Sequence, residues 1–508
     1  MTGGYLLALD AGTGSCRAAL FGLDGELAGL AQREWSHPAV DGVPGSQSFD
    51  PAGCWAVVCD CIREVLAGVT SRAGAAAVLA VGCSAMGGGL VLYDRRGREV
   101  WACANGDARA GPEAAAMLAD GTAAELYRRG GGWISITAPP RLAWVRRHRP
   151  GVWAEVRRFS MIADWMVLRL TGTLATEASI GSTSGLFDLG RRTWSPELLA
   201  RCGLDGAWFP EVVEAGTVAG PVSGLAAAQT GLAAGTPVVA GGLDTALGLA
   251  GPEPADAGRL TVTGGSFWKQ TVLATAPVVE PDGQLRTICH VRPGEWLVEG
   301  IGFYAGFALR WLRDQAAAGR APGYAELQDR AAAVPPGARG LTARLVRADA
   351  WTWASWQPPF PPGPAAGGAA SRGLGEQGRA IQEAAAYSTR RTAELVRRLL
   401  GPGAARQVLL SGGAARSRLW PQILADVLGC PVSLAGQTES AALGAAILAG
   451  RAAGVLPDGT PSTAWPGAAG RAGAGAARVV QPSLAGQRAY DDLYARWAGA
   501  GHGPPSRL

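Results

Sequence analysis

The sequence predicts a mixed α/β protein built from two domains with a cleft between them. At 508 residues the chain is too long for a single hydrophobic core. Short apolar runs that end in glycine- or hydroxyl-rich turns recur along it, as expected for strands of an α/β sheet with loops at their ends. Each half also contains one strand–turn–strand hairpin with a glycine-rich turn, which indicates an internal duplication.

The first hairpin spans residues 6–21. An apolar run ends in Asp10, and a second apolar run follows the turn. The turn consists of Gly12, Thr13, Gly14 and Ser15. The two glycines allow backbone N–H groups to converge on an anion, and the two hydroxyls can add donors. Asp10 is a candidate to hold Mg²⁺ through water. An ordinary hairpin that binds nothing is the alternative for this stretch alone.

The second hairpin repeats this pattern in residues 259–272. Its turn consists of Thr263, Gly264, Gly265 and Ser266. Two such hairpins would grip phosphates from opposite sides of a cleft, which neither turn indicates alone. We expect the first domain at residues 1–240, the second at 241–480, and a C-terminal helix and tail at 481–508.

Acidic and basic side chains supply the remaining candidate site residues. Asp244 follows a buried strand and a glycine turn, where a carboxylate can cap the next helix or act as a general base. Asp107 and Arg109 lie on a polar loop and could grip the hydroxyls of a small polyol, or could pair with each other.

Helical periodicity and turn residues predict the other elements. Helices are expected over residues 51–66, 140–148, 156–171, 299–314, 376–400, 418–428 and 438–449, and loops over 177–188 and 356–375. The small residues of 438–449 would permit close packing or leave a flat slot for a purine ring.

Composition narrows the class of protein. The net charge of +5 is carried almost wholly by scattered arginines, with Lys269 as the only lysine, so a nucleic-acid surface is not expected. No stretch has the roughly 20 apolar residues that a membrane span needs, and no leader is evident at the start. Nine cysteines without a CxxC pair favour reduced thiols and a cytoplasmic location.

The motif D-x-G-T-G-S-x-R of residues 10–17 resembles the first phosphate loop of actin, heat-shock chaperones and sugar kinases. With the later segments GLDT, TGGS and SGGAARSRLW, the chain resembles the FGGY carbohydrate kinases over residues 5–500. This resemblance implies two actin-like (ribonuclease H-like) ATPase domains, with ATP and Mg²⁺ as cofactors and a homodimer as one assembly to test. It also implies that Asp244 is the base, that residues 13–15 and 264–266 bind the γ- and β-phosphates, and that Gly412, Gly413 and Ala414 approach the α-phosphate and ribose.

Within the family, segments such as WACANGDARA and APPRLAWVRRH resemble the branch that phosphorylates a primary hydroxyl of dihydroxypentanedione, the linear form of the quorum-sensing signal autoinducer-2. Met86, Asp107 and Arg109 would contact the substrate. The chain departs from the family pattern at Gly87, Gly88 and Ile180. Two alternatives therefore stay open: another FGGY kinase (xylulokinase-, ribulokinase- or glycerol-kinase-like), or a non-catalytic actin-like nucleotide-binding regulator.

Overall fold

The structure is a computed structural model. It describes residues 4–73, 77–250, 258–265, 267–302, 304–315, 322–345, 349–353, 357–360, 372–435, 439–457 and 478–499. The strands are β1 Gly4–Ala11, β2 Ser15–Gly22, β3 Leu27–Glu34, β4 Ala77–Ala85, β5 Leu90–Tyr93, β6 Glu99–Cys103, β7 Arg158–Met161, β8 Thr176–Glu177, β9 Phe187–Asp188, β10 Thr193–Trp194, β11 Val212–Val213, β12 Val218–Pro221, β13 Pro237–Leu243, β14 Arg259–Gly264, β15 Trp268–Ala274, β16 Arg286–Cys289, β17 Trp296–Gly302, β18 Gln407–Gly412, β19 Val432–Leu434 and β20 Val479–Val480.

The helices fall between and after these strands. They are α1 Pro51–Ala73, α2 Gly111–Ala119, α3 Thr122–Gly130, α4 Ala138–His148, α5 Pro150–Glu155, α6 Ile162–Thr171, α7 Ala178–Ser182, α8 Pro196–Arg201, α9 Gly224–Thr230, α10 Asp244–Ala250, α11 Ala305–Gln315, α12 Tyr324–Ala332, α13 Leu374–Leu400, α14 Trp420–Leu428, α15 Ser440–Ala452 and α16 Leu484–Gly499.

Two main sheets share one strand arrangement. The first has the order β12-β13-β4-β1-β2-β3, and the second has the order β20-β19-β18-β14-β15-β17, with β16 added at its outer edge. Corresponding neighbours also run in corresponding directions: β1–β2 and β14–β15 are antiparallel hairpins, whereas β1–β4 and β14–β18 are parallel pairs. The duplication that the two hairpins indicated therefore extends through both sheets.

Helices α10 and α15 pack against each other, and α15 also packs on β1 and β4 of the first sheet. Their backbones approach closely at glycines. A Cβ on Gly82 would lie 2.2 Å from the Ala445 carbonyl oxygen, and one on Gly444 would lie 2.2 Å from that of Leu247. The structure thus shows the expected close packing at Gly444, whereas Ser440, Ala441 and Ala442 line the cavity described below, so the flat slot for a purine ring stays a prediction.

A long segment separates β4 from β13 and builds one side of the cleft. It contains the three-stranded sheet β6-β5-β7 and the helices α2 to α9. The loop after β6 carries residues 105–109. Arg141 of α4 is buried beneath it and donates to the carbonyls of Asn105, Asp107 and Gly88 at 2.8–3.1 Å. This arginine fixes the shape of the loop.

Three element predictions are wrong. The helix expected over 156–171 begins only at Ile162, because Arg158–Met161 pairs with β5 as a strand and the Asp164 side chain accepts from the Met161 N–H. The helix expected over 299–314 begins at Ala305, since Trp296–Gly302 is a strand of the second sheet. The loop expected over 177–188 contains the short helix α7, which the Glu177 carboxylate caps.

The helix expected over 51–66 starts as predicted but continues to Ala73, and the other predicted helices, including α13 and α14, match the structure within a few residues. Most of the loop expected over 356–375 lies outside the described residues. No helix in the described ranges is long and apolar enough to cross a bilayer. Because β13 spans residues 240 and 241, and α15 packs on the first sheet, the domain boundaries remain a proposal.

Candidate active site

A cavity of about 710 Å³ lies between the two sheets. Both hairpin turns, the start of α10, the 105–107 segment and the segment after β18 line it. The structure therefore brings together most of the site residues that the sequence singled out: Asp10, Gly12, Thr13, Gly14, Ser15, Met86, Asp107, Asp244, Thr263, Gly265, Gly412 and Gly413. Ser266 lies outside the described residues.

Asp10 is buried at the end of β1. Its Oδ1 accepts from the Ser84 hydroxyl at 2.9 Å, and its Oδ2 accepts from Arg17 Nη1 at 3.2 Å. Burial raises the pKa of Asp10 to about 6, and the Arg17 charge and the Ser84 hydrogen bond offset this only in part. Arg17 also lies 3.7 Å from the Glu439 carboxylate at the start of α15.

The first turn is held from several sides. Its backbone carbonyls accept from Trp35 Nε1 at 3.0 Å and contact His37 Nε2 at 2.9 Å. The Thr13 hydroxyl accepts from Asn105 Nδ2 at 2.9 Å, and Met86 N–H donates to the Ala11 carbonyl at 2.9 Å. These contacts use carbonyls and one hydroxyl of the turn.

The second turn lies against β18, the parallel neighbour of β14. Ser411 Oγ lies 3.3 Å from Thr263 Oγ1. Thr263 occupies the position on β14 that Asp10 occupies on β1, and it carries no charge. Gly412 has φ of 76°, and a Cβ there would lie 2.7 Å from the Gly264 carbonyl oxygen, so this crossing needs glycine. Gly264 and Ala414 pack against each other behind the cavity wall rather than lining it.

Asp244 is the first residue of α10 and is partly exposed to the cavity. Its Oδ1 accepts from Thr245 N–H at 2.6 Å and from the Thr245 hydroxyl at 3.0 Å. Lys269 of β15 reaches it from the second sheet, with Nζ at 3.1 Å from Oδ1 and 3.3 Å from Oδ2. Among the described residues Oδ2 has no other hydrogen-bond donor.

Asp107 and Arg109 pair with each other, which is one of the two alternatives that the sequence left open. Arg109 Nε donates to Asp107 Oδ2 at 2.7 Å, both side chains are buried, and the guanidinium lies between the rings of Trp101 and Trp144. Asp107 Oδ2 also accepts from Gln47 N–H. Asp107 reaches the cavity wall, whereas Arg109 does not.

Two residues that the sequence analysis did not select as site residues, Asn105 and Ser135, line this cavity. Asn105 Oδ1 and Ser135 Oγ are buried on residues that line it, and neither has a hydrogen-bond partner among the described residues. A buried polar atom without a partner is costly, so a ligand hydroxyl is the natural complement. Lys269 was noted only as the sole lysine; its position on the second hairpin was the signal that could have identified it.

Behind Asp244, a buried carboxylate positions the end of β13. Ser179 Oγ donates to Glu177 Oε1 at 2.5 Å and accepts from Leu243 N–H at 3.0 Å. Burial raises the pKa of Glu177 to about 7, although hydrogen bonds from Ser179 and Ile180 lower it in part. The backbone that presents Asp244 is therefore fixed by side chains from α7.

Family models describe both halves of this chain. The N-terminal domain model of the FGGY family of carbohydrate kinases matches residues 5–251, and the C-terminal domain model matches residues 268–453. The chain belongs to the FGGY family of carbohydrate kinases. It is thus an enzyme of the ATP-dependent kinase class, and the family prediction is confirmed.

Among curated relatives, an autoinducer-2 kinase of Yersinia pestis bv. Antiqua is 38% identical over 472 residues, which cover 89% of this chain and 87% of the relative. A crystal structure of xylulose kinase from Rhodospirillum rubrum is 26% identical, with a TM-score of 0.78 and 98% of each chain covered. Glycerol kinase of Plasmodium falciparum with ADP, at 15% identity, shares the fold with a TM-score of 0.81 over 99% of each chain. The predicted fold, two actin-like domains with a cleft between them, is confirmed for this FGGY kinase.

Proposed function

We propose that this FGGY kinase transfers the γ-phosphate of ATP to the primary hydroxyl of linear dihydroxypentanedione, giving phospho-autoinducer-2. The observation that carries the proposal is the position of Asp244, which lines a cavity bordered by both hairpin turns and whose Oδ2 accepts only from Lys269 among the described residues. The identity of 38% to an autoinducer-2 kinase over most of the chain supports this acceptor.

Phosphoryl transfer depends mainly on positioning and on stabilisation of charge. Asp244 Oδ2 accepts the proton of the attacking hydroxyl and holds that hydroxyl in line. The turns at residues 12–15 and 263–266 bind the γ- and β-phosphates through backbone N–H groups and hydroxyls. The segment at 412–414 approaches the α-phosphate and ribose. Closure of the two halves excludes water, which otherwise competes with the acceptor.

The residues present fit Mg²⁺ held largely by water and phosphate. Among the described residues no three His, Cys, Asp or Glu side chains form a metal cluster, and Mg²⁺ commonly keeps several waters beside one or two carboxylates. Asp10 is the carboxylate placed for this, because it lies beside the first turn with Asp244 close enough to affect its pKa. When bound, the ion would neutralise charge on the phosphates.

The part of the cavity where the acceptor is expected to bind has polar residues on one side and apolar residues on the other. Asn105 and Ser135 line the cavity, and each carries a buried oxygen without a hydrogen-bond partner among the described residues. Ile136, Phe267 and Tyr304 belong to one apolar cluster that also lines the cavity. Dihydroxypentanedione has hydroxyls at one end and a methyl ketone at the other. A ketopentose carries hydroxyls along nearly its whole length and would leave more of them facing apolar side chains.

Another FGGY sugar kinase activity is the second candidate. The likeness to xylulose kinase at 26% identity favours it. At Gly87, a Cβ would lie 2.9 Å from both Leu243 and Thr183, so the backbone itself forms the pocket wall where relatives carry polar side chains. A regulator without catalysis is less well supported, because Asp10 and Asp244 both line the cavity.

A substrate panel tests the proposal. ATP turnover by the purified protein is measured with dihydroxypentanedione beside xylulose, ribulose, glycerol and erythritol. We expect turnover mainly with dihydroxypentanedione. Preference for a sugar or polyol would move the acceptor assignment, and ATP binding without turnover on any member would favour a regulatory protein. A cytoplasmic location and a homodimer remain predictions.

A further inference from the structure

Lys269 is the only lysine of the 508 residues. Its side chain contacts Asp244, the proposed general base. Trp268 and Gln270 turn to the opposite face of β15, where they meet Thr389 and Thr392 of α13, so strand alternation points Lys269 into the cavity. Its ammonium lies 2.8 Å from the Thr245 hydroxyl and 3.1 Å from Asp244 Oδ1. It joins the second sheet to the start of α10, which follows the first sheet.

The duplicated sheets give Lys269 a counterpart. In the first hairpin, the pair before the turn is Ala11–Cys16 and the pair before that is Asp10–Arg17. In the second hairpin the same two positions hold Gly264–Trp268 and Thr263–Lys269. Arg17 and Lys269 therefore occupy equivalent places, one beside each phosphate turn.

Each of these two cations contacts an acid at the start of a helix that follows a strand of the opposite sheet. Arg17 contacts Glu439, which precedes α15, and Lys269 contacts Asp244, which begins α10. The surroundings differ, because Arg17 already neutralises Asp10 on its own hairpin. Thr263, opposite Lys269, is uncharged, so Asp244 is the sole acid that Lys269 contacts among the described residues.

The other basic side chains of the described cavity are placed differently. Arg286 forms an ion pair with the buried Glu299 carboxylate, to which its Nε donates at 2.6 Å. Arg310 and Arg416 are exposed residues at the cavity margin. A hydroxyl bound to Asp244 Oδ2 would have the Lys269 ammonium next to it, since Nζ is 3.3 Å from that oxygen. The phosphoryl group that this hydroxyl attacks would lie within reach of Nζ.

We propose that Lys269 is a further catalytic residue, whose ammonium binds an oxygen of the transferring phosphoryl group while it stays beside Asp244. The inference rests on the phosphoryl transfer proposed above. The acceptor oxygen forms its bond to the γ-phosphorus as the bond from that phosphorus to the bridging oxygen of ADP breaks. The acceptor proton passes to Asp244, and Lys269 keeps its protons throughout. Its charge offsets the negative charge that the transferring group brings towards the carboxylate.

The test compares K269Q, K269M and K269R with the wild type and with a control variant, R33Q. Arg33 forms an exposed ion pair with Glu64 on β3 and α1, so its loss removes one positive charge away from the cavity. Dissociation constants are measured for ADP and for ADP with aluminium fluoride and Mg²⁺, a mimic of the transferring phosphoryl group. Turnover is measured with whichever acceptor the wild type uses best, and folding by circular dichroism.

We expect K269Q and K269M to lose about 10²- to 10³-fold in kcat, the usual loss for one donor to a developing charge. Their affinity for the aluminium fluoride complex should fall by a similar factor, while affinity for ADP stays within about threefold. K269R should recover part of both losses, and R33Q should match the wild type.

Three results would overturn the inference. These are turnover of K269Q within about threefold of the wild type, equal losses of affinity for ADP and for its aluminium fluoride complex, and no advantage of K269R over K269M. The binding measurements need no dihydroxypentanedione. Failure of the acceptor assignment would therefore appear in the substrate panel and leave these ratios unchanged.

Discussion

The two hairpins have the same framework but carry different chemistry at equivalent positions. On β1 the penultimate residue is Asp10, held by Ser84 of the parallel neighbour β4. On β14 it is Thr263, beside Ser411 of the parallel neighbour β18. The duplication thus preserved the strand pairing, the serine partner and a cation on the hairpin's second strand. It did not preserve the acid.

The difference indicates a division of roles between the halves. The first half places a buried acid beneath its glycine-rich turn, where under the proposal it would face the phosphates and Mg²⁺. The second half directs its cation across the cavity to Asp244, where the acceptor hydroxyl is expected. On the proposed mechanism, equivalent scaffolds would serve phosphate binding on one side and proton acceptance on the other, and matched substitutions in the two halves should have unequal effects.

The largest inequality is expected between Asp244 and Glu439, the acids that begin α10 and α15. D244N should reduce kcat by about 10³- to 10⁴-fold, because a general base in position contributes up to this factor. E439Q should reduce it by less than about tenfold, since Glu439 contacts only Arg17 among the described cations. Steady-state kinetics on both variants checks the contrast. Comparable losses would remove the distinction between the two helix starts.

A second inequality is expected between Asp10 and Thr263. D10N should lower kcat by roughly 10²-fold, because it removes a negative charge that Arg17 contacts and that is proposed to hold Mg²⁺. T263V should cost only a few-fold, since it deletes one weak hydrogen bond with Ser411 at 3.3 Å. The Mg²⁺ dependence of turnover adds a separate readout, in which D10N alone should need more Mg²⁺ for half-maximal rate.

The same pair should differ in how stability depends on pH. Burial raises the pKa of Asp10 from 3.8 to about 6, so between these values the folded protein binds more protons than the unfolded chain. The contribution of Asp10 to the free energy of unfolding therefore falls as pH rises from about 4 to 6 and stays low above that. The free energy of unfolding of D10N should therefore rise relative to that of the wild type by up to about 3 kcal/mol between pH 4 and pH 6.

Denaturant unfolding of the apoprotein at several pH values between 4 and 8 measures this difference. T263V is the control, because it alters the equivalent position without a titrating group, and its offset from the wild type should be the same at each pH. A constant offset for D10N would show that Asp10 titrates normally in the folded protein.

The smallest effect is expected at Ser135, whose hydroxyl has no partner among the described residues. S135A should raise the KM for the acceptor about five- to tenfold, as for the loss of one hydrogen bond to a bound ligand. The KM for ATP should not change, because the substitution leaves both phosphate turns intact. An equal rise in both values would place Ser135 in the scaffold of the cleft and not in the acceptor site.

Local patterns identified the parts of this molecule that depend on neighbours in sequence. Both glycine turns, Asp10, Asp244 and helices such as α13 carry their signals within a few residues, and the repeat of the hairpin predicted the paired sheets. Segments whose structure depends on distant partners were missed. Residues 158–161 form a strand because β5 lies beside them, and Glu299 tolerates a strand interior because Arg286 pairs with it there.

The site shows the same limit. The pairing of Asp107 with Arg109 could be stated only as one of two alternatives, because the tryptophans on either side of Arg109 come from β6 and α4. The contact between Lys269 and Asp244 joins a strand of the second sheet to a helix that follows the first sheet. The sequence of neither segment alone could therefore predict it. Asn105 and Ser135 stand out only when the surrounding hydrogen bonds are known.

The division of roles is tested most directly by nucleotide affinity and turnover measured side by side for D244N and D10N. Isothermal titration with ADP and with a non-hydrolysable ATP analogue, in the presence of Mg²⁺, gives the affinities. D244N is predicted to bind both nucleotides within about threefold of the wild type while turnover falls by about 10³-fold or more, whereas D10N is predicted to lose affinity for the ATP analogue as well as turnover. Retention of most turnover by D244N, or parallel losses of affinity and turnover in both variants, would contradict the account.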